Sequence, residues 1–251
     1  DAGLPSYRLV KGPIVLKNVE DDASGITYRP TTKTFFVILN HPARMFEISA
    51  EGEIRRTIDL VGFHDTEDVV WVRKNTFAVV EERRRNAVWF DLPAKAKRVF
   101  HHKSTGVLVE PRPYENVGLE GITFDTRSNC FYIVKEKLPR RIYRMPMEPV
   151  AGKRPIVQPW DFESNSMGAA DLSAVHFDAA TGHLLLLSDE SRCVIECTTD
   201  GKEIGRLSLR GGDSGLAEDI PQPEGLTLDP DRRLYICSEP NRIYIFEKKK
   251  E

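Results

Sequence analysis

Residues 120–134 read Glu120-Gly121-Ile122-Thr123-Phe124-Asp125, then Thr126-Arg127-Ser128-Asn129, then Cys130-Phe131-Tyr132-Ile133-Val134. Two short runs rich in β-branched and aromatic residues flank a gap of Asp, Ser and Asn, which is hairpin chemistry. The same phrase opens at Ser24-Gly25-Ile26, Glu67-Asp68-Val69, Ser173-Ala174-Val175 and Glu224-Gly225-Leu226, so the five openings are spaced by 43, 53, 53 and 51 residues. A period of roughly 40–50 residues made of short strands marks a β-propeller, one blade per repeat. The expected fold is therefore all-β, a single propeller domain over residues 1–251 with units starting near 24, 67, 120, 173 and 224.

The last unit breaks off after its third strand, in Lys248-Lys249-Lys250-Glu251. Tyr7-Arg8-Leu9-Val10 or Pro13-Ile14-Val15-Leu16 can supply the missing fourth strand and remove the exposed sheet edge of an open array. Five blades closed by an N-terminal strand follow. A sixth would need a cryptic repeat hidden in residues 146–170 or 199–222.

Composition narrows the partners. The chain is 40% hydrophobic and 29% charged with a net charge of −2, which gives no general attraction to nucleic acid or anionic lipid. No stretch reaches the roughly 18 apolar residues of a spanning helix, and a monomer is expected. Cys130, Cys193, Cys197 and Cys237 sit in or beside apolar runs and read as buried thiols. Cys193 and Cys197 lack the further partners of a zinc site. Gly212-Asp213-Ser214-Gly215 resembles a serine-protease nucleophile segment but falls in a connector. Trp71, Trp89 and Trp160 are expected in packing roles. Arg83-Arg84-Arg85 reads as a solvated loop, His101-His102 as exposed, and His176 as a hydrogen-bonded core residue.

Propeller geometry turns scattered acids into rings. First strands line the axis, and their starts share a face with the loops between second and third strands. One ring is Glu67, Glu120 and Glu224, with Ser24 and Ser173 in the other slots and Asp22, Asp65 and Asp171 two residues upstream. The other is His41, Glu82, Glu136, Glu190 and Glu239. Carboxylates crowded at one mouth repel each other, and a hard divalent cation resolves that repulsion. Calcium, with six to eight oxygen ligands, suits the set better than zinc or copper. A competing reading pairs the loop acids with nearby cations (Arg44, Arg83, Lys137, Arg192, Arg242) that would lock blades in register.

The motifs Glu120-Gly-Ile-Thr-Phe-Asp, Lys135-Glu136-Lys137, Asp189-Glu190-Ser191-Arg192 and Ser238-Glu239-Pro240-Asn241-Arg242 together resemble the SdiA-regulated (YjiK/CarP) family of bacterial proteins. So does the segment from Gly215 to Glu224-Gly225, and the resemblance runs from about residue 24 to 246. It implies a propeller, an anchor or signal ahead of the domain, and a periplasmic or membrane-anchored extracytoplasmic address. It also implies a link to calcium homeostasis, with phytase-like descriptions of some members but no defining enzymatic activity. It carries over Asp65, Glu67, Glu120, Asp171 and Glu224 as axis positions, and Glu136, Glu190, Glu239 and Arg242 as loop positions. His41 departs from the pattern, where a Lys would fit.

Three functions compete. The first is a binding module holding calcium at the axial acids, with the loop residues (His41, Glu82, Glu136, Glu190, Arg192, Glu239, Arg242) facing a small ligand or protein. The second is a calcium-dependent hydrolase of phosphoesters or lactones. The third is an interaction scaffold that uses the charged loop face.

Overall fold

The computed structural model describes residues 3–110, 118–148, 156–157 and 167–249. These residues form five antiparallel sheets around one axis. Blade one holds Ala23–Arg29, Thr34–Leu39, Arg44–Ile48 and Ile54–Val61. Blade two holds Thr66–Arg73, Thr76–Glu81, Asn86–Asp91 and Thr105–Leu108. Blade three holds Leu119–Asp125, Cys130–Lys135, Arg141–Pro146 and Ile156–Val157; blade four holds Ala174–Asp178, His183–Ser188, Cys193–Cys197 and Glu203–Ser208. Blade five holds Pro223–Leu228, Leu234–Ser238 and Arg242–Lys248, and its fourth strand is the N-terminal Tyr7–Val15. Both segments proposed for closure belong to that one strand, which bulges at two points as it follows Arg242–Lys248. Residues 199–222 supply the outer strand of blade four and a connector, not a sixth blade. The longer second interval has its own cause. Between its third and fourth strands, blade two lends Arg98–Phe100 to blade one, where it pairs in parallel with Ile54–Val61 and covers that edge.

Each first strand touches the first strand of the next blade, and the fifth returns to the first. Alternation puts the apolar faces of each sheet against its neighbours, giving five apolar layers, one in each gap between blades. Asp125, Asp178 and Asp229 close the inner hairpins of blades three to five. The Asp125 and Asp178 carboxylates accept the backbone N–H groups two residues on, from Arg127 at 2.8 Å and Ala180 at 3.0 Å, the Asx geometry that suits Asp to turns, and Asp229 accepts the Arg233 N–H across its turn at 2.9 Å. All four cysteines are buried and free. Cys193 and Cys197 lie four residues apart on one strand, about 13 Å along it, beyond the reach of a disulfide. Trp71 and Trp89 pack against apolar layers of the blades, and Trp160 lies outside the described residues.

Along the axis the layer after each strand opening is Gly25, Asp68, Gly121, Ala174 and Gly225. It is packed backbone to backbone: a Cβ on Gly121 would stand 2.8 Å from the Ala174 Cα, and one on Gly225 2.9 Å from the Gly25 Cα. A Cβ on Gly25 would meet Asp68 at 2.3 Å from Oδ1 and 2.7 Å from Cα. Gly25→Ala must therefore displace a neighbouring strand, and we expect a loss of about 2 kcal/mol. Thermal melting checks this, and an unchanged midpoint would mean the layer yields.

Candidate metal centre

The strand openings carry a device the sequence does not announce. In four blades the pairing of first and second strands slips by one residue, at Ser24, Glu67, Glu120 and Glu224. A bulged residue leaves the ladder and its side chain is re-aimed. Three of these bulges carry Glu, and all three carboxylates line a cavity of about 220 Å³ on the axis. Its walls are Glu67, Glu82, Glu120, Glu136, Asp171, Asp189, Glu190 and Glu224, with Ser173 and one cation, Lys137. Directly below, Asp68 is buried, its two oxygens accepting N–H from Val69 at 2.7 Å and Ile122 at 2.9 Å.

The electrostatics are those of crowded anions. Burial pushes the Glu67 carboxyl up to about 8, helped by Glu82, Asp65, Glu239 and Asp22. Burial also lifts Glu120 and Glu224 well above the carboxylate range, with Glu67 and Glu82 adding at the first and Asp189 and Glu239 at the second. Glu82 and Asp189 rise for the same reasons, Asp65 and Asp171 being their nearest repulsive neighbours. Asn40 Nδ2 donates to Glu67 Oε1 at 2.6 Å. Lys137 bridges Glu136 at 2.8 Å and Glu190 at 2.6 Å, and these bonds hold its pKa above the usual lysine value.

Oxygens of Asp65, Glu67 and Glu82 all lie within 4.8 Å of one another. Two oxygens on one calcium, each 2.3–2.6 Å from it, can stand at most about 5 Å apart, so the three side chains are near enough to one another to converge on one ion. Asp65 stands at φ 53°, and its carbonyl accepts the Glu82 N–H at 2.8 Å, which ties two members of the trio together. The donors are all oxygen, as a hard cation requires.

Seven of the twelve residues expected at the site line this cup: Glu67, Glu82, Glu120, Glu136, Asp171, Glu190 and Glu224. Asp65 joins through the trio and also bonds Arg83 Nε at 2.9 Å. Four stand elsewhere. His41 is exposed and lines a separate cleft of about 650 Å³ between blades one and two, with Arg44, His64, Asp65, Arg83 and Arg84. Glu239 clusters with Asp21 and Asp22. Arg192 bonds the Ile220 carbonyl at 2.8 Å and reaches Asp219 at 3.3 Å, and Arg242 opens the third strand of blade five.

The loop ring is one residue out of step in two blades. The second strands end at Leu39, Glu81, Lys135, Ser188 and Ser238, so the equivalent next residues are Asn40, Glu82, Glu136, Asp189 and Glu239. Backbone bonds agree: the N–H groups of Asn40, Glu82, Glu136 and Glu239 reach the carbonyls of Asp22, Asp65, Gly118 and Gln222. Asn40 and Asp189, rather than His41 and Glu190, hold the ring positions of blades one and four. Aligning the ends of the apolar runs would have found both; Asp68 offered no signal beyond its place beside Glu67.

Solved structures share this architecture. The calcium-binding protein regucalcin from Agrobacterium tumefaciens superposes with a TM-score of 0.57 at 14% identity, covering 97% of this chain and 95% of its own. A gluconolactonase from Xanthomonas campestris gives 0.55 at 11% identity, over 96% and 97% of the two chains. Virginiamycin B lyase from Staphylococcus aureus gives 0.57 at 10% identity, over 96% and 99%. At these identities the likeness is one of fold. Sequence similarity is more specific: residues 2–247, nearly the whole chain, match the SdiA-regulated family model, and the chain belongs to the SdiA-regulated family.

Proposed function

We propose that this propeller is an extracytoplasmic calcium-binding module whose axial carboxylate cup holds the ion. One observation carries the reading: eight carboxylates and a single lysine enclose about 220 Å³, and two of those acids, Glu67 and Glu82, stand with the adjoining Asp65 within chelating distance. Lys137 is bonded to Glu136 and Glu190, and a divalent ion shared by Asp65, Glu67 and Glu82 offsets charge that the lysine does not pair. Regucalcin, described as calcium-binding, shares the fold. A cup assembled from several blades and open to water suits the flexible coordination of calcium and the weaker affinities of extracellular sites.

Calorimetric titration with calcium at pH 7.5 tests the proposal. We expect saturable binding, and a stabilisation of about 2.7 kcal/mol at a hundredfold excess over the dissociation constant. Glu67→Gln is expected to weaken binding at least tenfold, and absence of heat and of any melting shift would overturn the assignment. A second reading, calcium-dependent hydrolysis of an anionic ester or lactone, draws on the cleft that shares Asp65 with the metal trio and brings Arg83, Arg84, His41 and His64 beside it. Calcium-dependent turnover that falls with Glu120→Gln supports this reading, and no turnover removes it.

A further inference from the structure

The other end of the axis carries a second cavity, of about 280 Å³, at the ends of the first strands. The residues Thr27, Val70, Thr123, His176 and Thr227 occupy one equivalent slot in the five blades and all contribute to its lining. Two of the threonines stitch blades together: Thr27 Oγ1 accepts the Trp71 N–H at 3.0 Å and Thr123 Oγ1 accepts the Phe177 N–H at 2.8 Å. His176 stands in that slot in blade four, yet its ring has no hydrogen-bond partner among the described residues. It stands at the cavity wall rather than deep in the core. Burial pulls its pKa down to about 4, so at pH 7 the ring is neutral and offers one N–H donor and one bare nitrogen. The ring is half-buried and lines the cavity, where a ligand can reach it; a threonine in the slot would offer a hydroxyl instead of the ring.

The walls beside it are aromatic. Tyr28, Trp71, Phe124 and Phe177 follow the slot residues in four blades and line the same cavity. The Trp71 indole N–H is spent on the Lys74 carbonyl at 3.0 Å, so the ring offers its face rather than a donor. The charges nearby are mutually satisfied: Arg232 Nη1 meets Asp178 Oδ1 at 2.6 Å. The close-packed layer around Gly25 and Asp68 separates this cavity from the carboxylate cup. We propose that this lower cavity is a binding site for a small, flat, uncharged ring compound whose single polar group bonds His176 while its face lies against Trp71.

Indole serves as the probe, titrated into the intact chain carrying isotope-labelled histidine rings, with the His176 signal assigned by its loss in His176→Thr. A saturable shift confined to that signal is expected, with a dissociation constant below 1 mM. Binding should fall at least tenfold in Trp71→Leu and in His176→Thr, followed by isothermal titration calorimetry. His176→Thr restores the residue of three sister slots, so it should melt no lower than the parent and decides the matter if Trp71→Leu fails to fold. No saturable shift, or equal binding by parent and His176→Thr, overturns the proposal. A response to methyl glucoside without one to indole also overturns it, because the site would then prefer a puckered polyol ring.

Discussion

Replacing Glu110 by alanine is expected to lower stability by about 3–5 kcal/mol, among the largest effects of any single substitution in this chain. Glu110 lies in the connector from blade two to blade three and is 5% exposed. Its Oε2 faces Arg85 Nη1 at 3.0 Å and Lys135 Nζ at 3.7 Å, and its Oε1 faces Arg141 at 3.9 Å. Arg85 belongs to a blade-two loop, whereas Lys135 and Arg141 flank the loop of a blade-three hairpin, so one carboxylate joins two blades. Arg85 and Lys135 are as deeply buried as their partner. Removing the anion takes away a charge that both cations face across a low-dielectric space, where the lost attraction is large. Denaturant unfolding measures the loss, and at roughly 2–4 °C per kcal/mol for a chain of this size the melting point should fall by about 10 °C. The exposed pair Arg206–Glu203, at 3.0 Å, is the control, and Glu203→Gln should cost under about 1 kcal/mol. A loss below 1 kcal/mol at Glu110 as well would show that the buried cluster contributes no more than a surface pair.

These two acids also mark how far a sequence can be read. Repeat spacing and strand alternation are properties of neighbouring residues, so blade number, closure by Tyr7–Val15 and the five interblade layers are legible in the chain alone. Glu67, Glu120 and Glu224 are legible too, because each bulge sits at a strand start that the repeated phrase marks. Glu110 is not, since its partners lie 25 residues before and 25 after it and no local pattern links them. The loop ring fails by one residue in blades one and four for a related reason. Which residue of Asn40-His41 or Asp189-Glu190 directly follows the second strand depends on where that strand ends, which charge does not reveal, and in blade four both Asp189 and Glu190 line the cup. His176 shows a third limit, because a histidine inside an apolar strand reads the same whether its ring is bonded or bare.

Without calcium, the protein should be more stable near pH 5.5 than at pH 8, the reverse of the usual carboxylate effect. An acid held low by a partner contributes stability that is lost as pH falls. Glu67 is held high instead, near 8, and Glu82, Glu120, Asp189, Glu224 and Glu239 are all raised by burial and by one another. Unfolding returns each to about 4, so between roughly pH 4.5 and 8 the folded state binds more protons than the unfolded one. Stability is then fully present below the unfolded value and drains away as pH rises through the folded one. One unit of separation is worth about 1.4 kcal/mol, and because water enters the cup the total should be on the order of 2–4 kcal/mol. Calcium binds the deprotonated cup and so acts in the opposite sense. Its stabilising effect should be larger at pH 8 than at pH 5.5, and binding at pH 7 should release protons, seen as a dependence of the calorimetric heat on the buffer's ionisation enthalpy. Glu67→Gln removes a cup carboxyl that titrates near 8, and should flatten the alkaline part of the metal-free profile. A metal-free melting point that stays level from pH 5.5 to 8 would mean that the carboxylates ionise independently, and that the cup lacks the mutual repulsion a cation is needed to relieve.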